Sequence, residues 1–203
     1  TIATRAWDFG DGGTSSATNP SHTYTAAGSY TVGLTVTGPG GTDGETKLAY
    51  VVVSEPLPVA DFSATPTTGI RPLAVVFTDL TSGGPVSTWT WDFGDGASSS
   101  VASPSHTYTA AGSYTVSLTA AGPGGSDTET KIGFVVVAEP PPEADFAGTP
   151  QSGITPLVVA FTDLSSGGPA TAWAWDFGDG GTSSAQNPSH TYTAGGTYTV
   201  SLS

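Results

Sequence analysis

Alternation of apolar and polar positions dominates the chain, and helical spacing is absent. Residues 73–80 form an apolar run that predicts a strand. Residues 88–93 set Trp89, Trp91 and Phe93 on one face of a strand. Residues 113–118 set Tyr114, Val116 and Leu118 on one face, with hydroxyl residues opposite. A further apolar run covers 131–137, and shorter strands are expected at 59–64 and 106–109. Gly, Pro and Asp breakers separate them at 82–85, 94–96, 111–112 and 122–125. Six or seven short strands within 84 residues predict a β-sandwich. Its Thr and Val side chains, branched at Cβ, suit a half-buried pleated surface.

The pattern recurs. Trp-Asp-Phe-Gly-Asp-Gly begins at Trp7, Trp91 and Trp175, 84 residues apart each time. Pro-Ser-His-Thr-Tyr-Thr follows in register from Pro20, Pro104 and Pro188. Aligning 55–119 with 139–203 gives 43 identities in 65 positions without a gap. The organisation read from this is one complete module, 55–138, between two partial ones. The piece 1–54 lacks the first strands of a module, and 139–203 lacks the last strand.

Composition then excludes several classes of function. Seventeen acidic residues face four Lys and Arg among 203 residues, a net charge of −13. Four cations cannot offset a nucleic-acid backbone or hold an anionic membrane surface. Cysteine is absent, so disulfides and thiolate chemistry are excluded. No apolar run reaches the roughly 20 residues of a membrane-spanning helix. Five Trp, seven Tyr and eight Phe supply core-forming surface, which argues against disorder. Only 10% of residues are charged, while Ser and Thr exceed a quarter, so the outward strand faces are hydroxyl-rich.

The string Gly112-Ser-Tyr-Thr-Val116 reads as the corner of an immunoglobulin-like sandwich. There a tyrosine, here Tyr114, hydrogen-bonds backbone two residues before a core position, here Val116, with Trp91 in the facing sheet. Together with the Trp-Asp-Phe-Gly-Asp-Gly and Pro-Ser-His-Thr-Tyr strings, it resembles the polycystic-kidney-disease (PKD) module across the whole chain. The resemblance implies an all-β chain of tandem immunoglobulin-like β-sandwich modules, each seven-stranded. It also implies a non-catalytic role as spacer, adhesive element or substrate-contact module. Such modules occur in microbial surface proteins and beside secreted proteases, chitinases and collagenases. The expected location is therefore extracellular, at a cell surface or secreted.

Candidate chemistry is sparse. Asp92 and Asp95, with their counterparts Asp8/Asp11 and Asp176/Asp179, offer hard oxygen donors for Ca²⁺, but a calcium site needs six to eight oxygens. The competing reading is turn chemistry, with Asp accepting backbone N–H bonds and glycine supplying positive φ. Some family members bind calcium through acidic residues before the Trp strand. Here that loop, 82–86 and 166–170, has no carboxylate, and only Asp79 and Asp163 lie near. The expectation is no cofactor, with Ca²⁺ at Asp79, Asp92, Asp95, Asp163, Asp176 or Asp179 as the weak candidate. His22, His106 and His190 sit beside Ser, yet no Gly-x-Ser-x-Gly elbow accompanies them. The Asp-Phe-Gly tripeptide lacks the other kinase elements. No catalytic residue is assigned. His106 is expected instead to hold the Asp-Phe-Gly-Asp loop by hydrogen bonds.

The structural motif is thus Trp91, Asp92, Asp95, His106, Tyr108 and Tyr114, repeated as Trp175, Asp176, Asp179, His190, Tyr192 and Tyr198. Trp89 and Trp173 are expected in core or partly buried packing, against the alternative of exposed rings that stack on sugars. Asn19 and Asn187 precede proline and cannot be N-glycan acceptors. The linkers 54–58 and 138–143 are proline-rich, which predicts stiff connections and an elongated rod. The chain starts at Thr1 and both end modules are partial, so a window from a longer surface protein is expected, against the alternative of complementation between subunits. Expected partners are neighbouring copies, other surface proteins or polysaccharide.

Overall fold

The computed structural model describes residues 1–203 as strands and turns, with no helix. It divides into two compact units. One comprises Thr1–Thr65, Val76–His106 and Thr115–Ile132; the other comprises Pro66–Val75, Thr107–Tyr114 and Gly133–Ser203.

In the first unit the N-terminal repeat forms a four-stranded antiparallel sheet. Its order is Thr14–Ser15, Thr4–Asp8, Gly28–Gly38, Gly41–Val53. Trp7 lies opposite Leu34, and Arg5 opposite Val36. The same register recurs in the middle repeat, where Trp91 of Thr88–Asp92 lies opposite Leu118. Against that Trp-bearing strand packs a second layer. Phe62–Thr65 pairs antiparallel with Leu73–Asp79 through Phe62↔Asp79 and Thr65↔Val76. Phe62 and Phe77 then meet Trp91 at ring separations of 5.1 and 5.4 Å. Trp91 is 0% exposed. Truncating a ring so placed costs about 3–5 kcal/mol, more than any surface contact here contributes. Trp7, the counterpart of Trp91 in the N-terminal repeat, is half-buried.

The second unit repeats the arrangement. Phe146–Thr149, Leu157–Asp163 and Ser189–Tyr192 make one layer. Trp175–Asp176 pairs with Thr182–Ser183 and with Ser201–Leu202 in another. Val159, Phe161, Trp175, Phe177 and Tyr192 form the core between them. Leu157–Asp163 alternates buried and exposed positions as a half-buried strand must. Thr68–Ile70 runs parallel to the end of Gly125–Ala138, through Val136↔Thr68 and Ala138↔Ile70.

The middle repeat has seven strands of three or more residues and three two-residue segments. Four details differ from the sequence expectation. The strand expected at 59–64 is broken into Pro58–Val59 and Phe62–Thr65. Between them Ala60 N–H donates to Asp127 and Phe62 N–H to Asp61, so the chain leaves one pairing for another. The expected breaker at 82–85 contains the short strand Ser82–Gly83, which pairs with Pro58–Val59. The strands expected at 113–118 and 131–137 extend to Gly112–Gly122 and Gly125–Ala138. They are joined by a two-residue turn, and Gly125 takes a φ of 134° that a Cβ would resist. The added residues are small or polar, and cross-strand bonds such as Thr119 to Thr128 hold them. Finally, Thr68–Ile70 was not expected as a strand, because its pairing is parallel and its centre is Gly69.

Candidate functional site

The recurring loop is built from local bonds. Asp92 ends its strand, and its Oδ1 accepts the N–H of Gly94 at 2.9 Å. Asp95 Oδ1 accepts the N–H of Ala97 at 3.0 Å. Phe93 N–H donates to the Ala97 carbonyl at 3.1 Å and closes the turn. Gly94 (φ 80°) and Gly96 (φ 91°) supply the left-handed backbone. At Gly94 the requirement is also steric, since a Cβ would lie 2.3 Å from the Thr115 carbonyl oxygen.

The other oxygen of Asp95 accepts a hydrogen bond from His106 Nε2 at 2.7 Å. The imidazole lies flat on Phe93, with centroids 4.4 Å apart and planes 3° apart. One side chain therefore grips the loop by its carboxylate and by its ring. Trp91 Nε1 donates to the Val101 carbonyl at 2.9 Å. The Tyr114 hydroxyl donates to the Ala110 carbonyl at 2.8 Å, which is the tyrosine corner. Tyr108 is fully buried and packs on Tyr114 at 4.4 Å.

The other repeats reproduce this bond for bond. His22 meets Asp11, and His190 meets Asp179, each at 2.7 Å. Their rings stack on Phe9 and Phe177, each at 4.2 Å. Asp8 and Asp176 accept from Gly10 and Gly178. Trp7 and Trp175 donate to the carbonyls of Ala17 and Ala185. Tyr192 donates to the Phe177 carbonyl, and Tyr198 and Tyr30 to those of Ala194 and Ala26.

The electrostatics follow from these bonds. The hydrogen bond from His22 holds the Asp11 carboxyl below its ordinary range, and His190 does the same for Asp179. For Asp95 partial burial pushes upward, but the bonds from His106 and Ala97 outweigh it and the net shift is down. Asp163 falls to about 2 under the hydroxyl and N–H of Ser165, with Gln186 and Trp173 adding to them.

Asp79 and Asp163 do not join the loop aspartates. Asp79 Oδ2 accepts from Trp89 Nε1 at 2.7 Å, and Asp163 Oδ2 from Trp173 Nε1 at 2.8 Å. Both indoles are half-buried. The six calcium candidates are therefore split between the loop pairs Asp92/Asp95 and Asp176/Asp179 and the indole-bonded Asp79 and Asp163, and no three His, Asp or Glu side chains gather around a common point. Two features lay outside the sequence reading. The Lys131 ammonium bonds Asp61 and the Phe62 carbonyl and sits 4.6 Å over the Phe62 ring. The Nε1 bond of Trp7, Trp91 and Trp175 reaches ten residues ahead each time, a constant spacing the aligned repeats contained.

The profile of the PKD domain family matches residues 1–53, 55–137 and 139–203. The chain belongs to the PKD domain family. These PKD repeats are 32% identical to human polycystin-1 over 97% of the chain, which spans about 5% of that protein's length. Among solved structures they resemble the PKD1 domain of the Vibrio cholerae metalloprotease PrtV. That match is 35% identical, covers 38% of this chain and 91% of the other, and has a TM-score of 0.32. The PKD1 domain of Vibrio anguillarum Epp is likewise 35% identical, with 42% and 100% coverage and a TM-score of 0.36.

Proposed function

We propose that the chain is a non-catalytic, extracellular array of structural or adhesive PKD repeats, part of a stalk, filament or sheath at a microbial cell surface. The observation that carries this reading is the same Asp–His–Phe clamp in all three repeats. Each polar group in it is spent on holding its own loop, and the clamp is built from the same residue types in each repeat. A buried side-chain polar atom without a partner, the usual mark of an unused site, is found nowhere in the chain. The proline-rich connections at 54–58 and 138–143 support a spacer that resists collapse. Its partners in this reading are neighbouring copies and other surface proteins, and no metal or cofactor takes part.

Immuno-electron microscopy of the source cells with antibodies to this chain tests the proposal. Label along a surface layer or filament supports it. Label confined to a soluble hydrolase in the medium, with saturable binding of that enzyme's polysaccharide by the repeats, overturns it in favour of an accessory binding module.

A further inference from the structure

A peptide bond between aspartate and glycine carries a chemical weakness. The glycine nitrogen, unhindered by a side chain, attacks the aspartyl Cγ. An N–Cγ bond forms and a Cγ–O bond breaks. The oxygen leaves as water, with the amide proton and the carboxyl proton. Water then reopens the succinimide ring at either carbonyl, and one route leaves isoaspartate, with an extra carbon in the backbone. The chain has four such bonds, Asp11-Gly12, Asp43-Gly44, Asp95-Gly96 and Asp179-Gly180. Other labile side chains are scarce. Cys and Met are absent, and Asn19 and Asn187 both precede proline, whose nitrogen has no proton to lose.

Three of the four bonds lie in the clamped loops. One oxygen of Asp11, Asp95 and Asp179 accepts the N–H two residues on, from Gly13, Ala97 and Gly181, at 2.9, 3.0 and 3.0 Å. The other oxygen accepts from His22, His106 and His190 at 2.7 Å each. Ring closure expels one of these oxygens, so it breaks at least one of the two bonds. The Phe93 N–H bond to the Ala97 carbonyl also holds the Gly96 backbone in its turn, and Phe9 and Phe177 do the same in their loops. Against the upward push of burial, the bonds from His106 and Ala97 keep the Asp95 carboxyl below its ordinary range, and the anion has no hydroxyl to lose. Exclusion of water gives no such cover, since the three aspartate side chains are 23–24% exposed.

We propose that the aspartate–histidine clamp is a chemical guard that suppresses succinimide formation and backbone isomerisation at Asp11-Gly12, Asp95-Gly96 and Asp179-Gly180. Opening one clamp turns its aspartate into a modification site. This role is distinct from holding the fold together, because it governs the rate of a covalent reaction in a loop that is still folded.

The test incubates the full chain and its His106→Ala variant in warm, mildly acidic buffer. Peptide mapping that separates isoaspartyl from aspartyl peptides follows each Asp-Gly bond over time. Isoaspartate at Asp95 should accumulate about tenfold faster in the variant, the factor set by losing one hydrogen bond to a charged group. The rates at Asp11, Asp43 and Asp179 should match those of the parent chain. Val135→Ala truncates a buried side chain in Gly125–Ala138, leaves the clamp in place, and should leave the Asp95 rate unchanged. His22→Ala and His190→Ala repeat the measurement at Asp11 and Asp179. An unchanged rate at the unclamped aspartate of a folded variant would overturn the proposal. So would a rise shared equally by all four bonds, or an equal rise with Val135→Ala, which would make loop stability the guard in place of the clamp.

Discussion

Replacing His106 with alanine removes a side chain that ties the middle loop to the neighbouring Ser105–Tyr108 strand by both a hydrogen bond and a ring contact. The lost bond joins His106 Nε2 to Asp95 Oδ2 at 2.7 Å, with the two side chains 17% and 23% exposed. A bond to a charged group contributes about 1.5–3 kcal/mol, and partial solvation brings this pair toward the lower end. The flat contact with Phe93 adds about 0.5–1 kcal/mol. His106→Ala should therefore destabilise the middle repeat by about 2 kcal/mol. Urea unfolding followed by tryptophan fluorescence, with hydrogen exchange at Gly94 and Ala97 to localise the effect, gives the measurement. A double-mutant cycle with Asp95→Ala should recover a coupling of about 1–2 kcal/mol. An unchanged midpoint for His106→Ala, or a coupling near zero, would refute the clamp as a source of stability.

Stability should fall with acid. The carboxyls of Asp11, Asp95, Asp163 and Asp179 titrate lower in the folded chain than when unfolded, so their contribution is complete above about pH 4 and lost as pH drops toward their folded values. A melting temperature that stays level from pH 5 to pH 2 would contradict this, and Asp163→Asn should flatten the lower part of the curve, down to about pH 2. Tyr114→Phe deletes only the hydroxyl bond to Ala110 and should cost about 1 kcal/mol by the same urea assay. Gly94→Ala and Gly96→Ala separate two effects. Gly96 has positive φ and open space, so alanine should cost about 1–2 kcal/mol, whereas Gly94 adds a backbone clash and should cost clearly more in calorimetry.

Much of this was legible in the sequence for identifiable reasons. Alternation placed Trp91 and Phe93 on the core face, and both are buried there. The spacing of Tyr114 before Val116 announced a corner whose hydroxyl bond is present. The partnership of His106 with Asp95 was readable because the two residues sit in constant strings that keep them eleven residues apart in every repeat. The break at Ala60 and Asp61 was not readable, because it depends on Asp127, which arrives from a distant strand. The parallel pairing of Thr68–Ile70 was hidden for a related reason, since glycine and threonine carry little apolar signal and the partner lies 68 residues onward. The Trp89 bond to Asp79 links two strands whose register sequence alone does not set.

The central claim is that these aspartates serve the loop itself, through histidine, in every repeat. Proton–nitrogen NMR of the three imidazoles addresses it directly. The account predicts three alike, slowly exchanging Nε2–H signals from His22, His106 and His190, unchanged by calcium or by its chelation. Rapidly exchanging Nε2 protons, three dissimilar rings, or signals that appear only with calcium would contradict it.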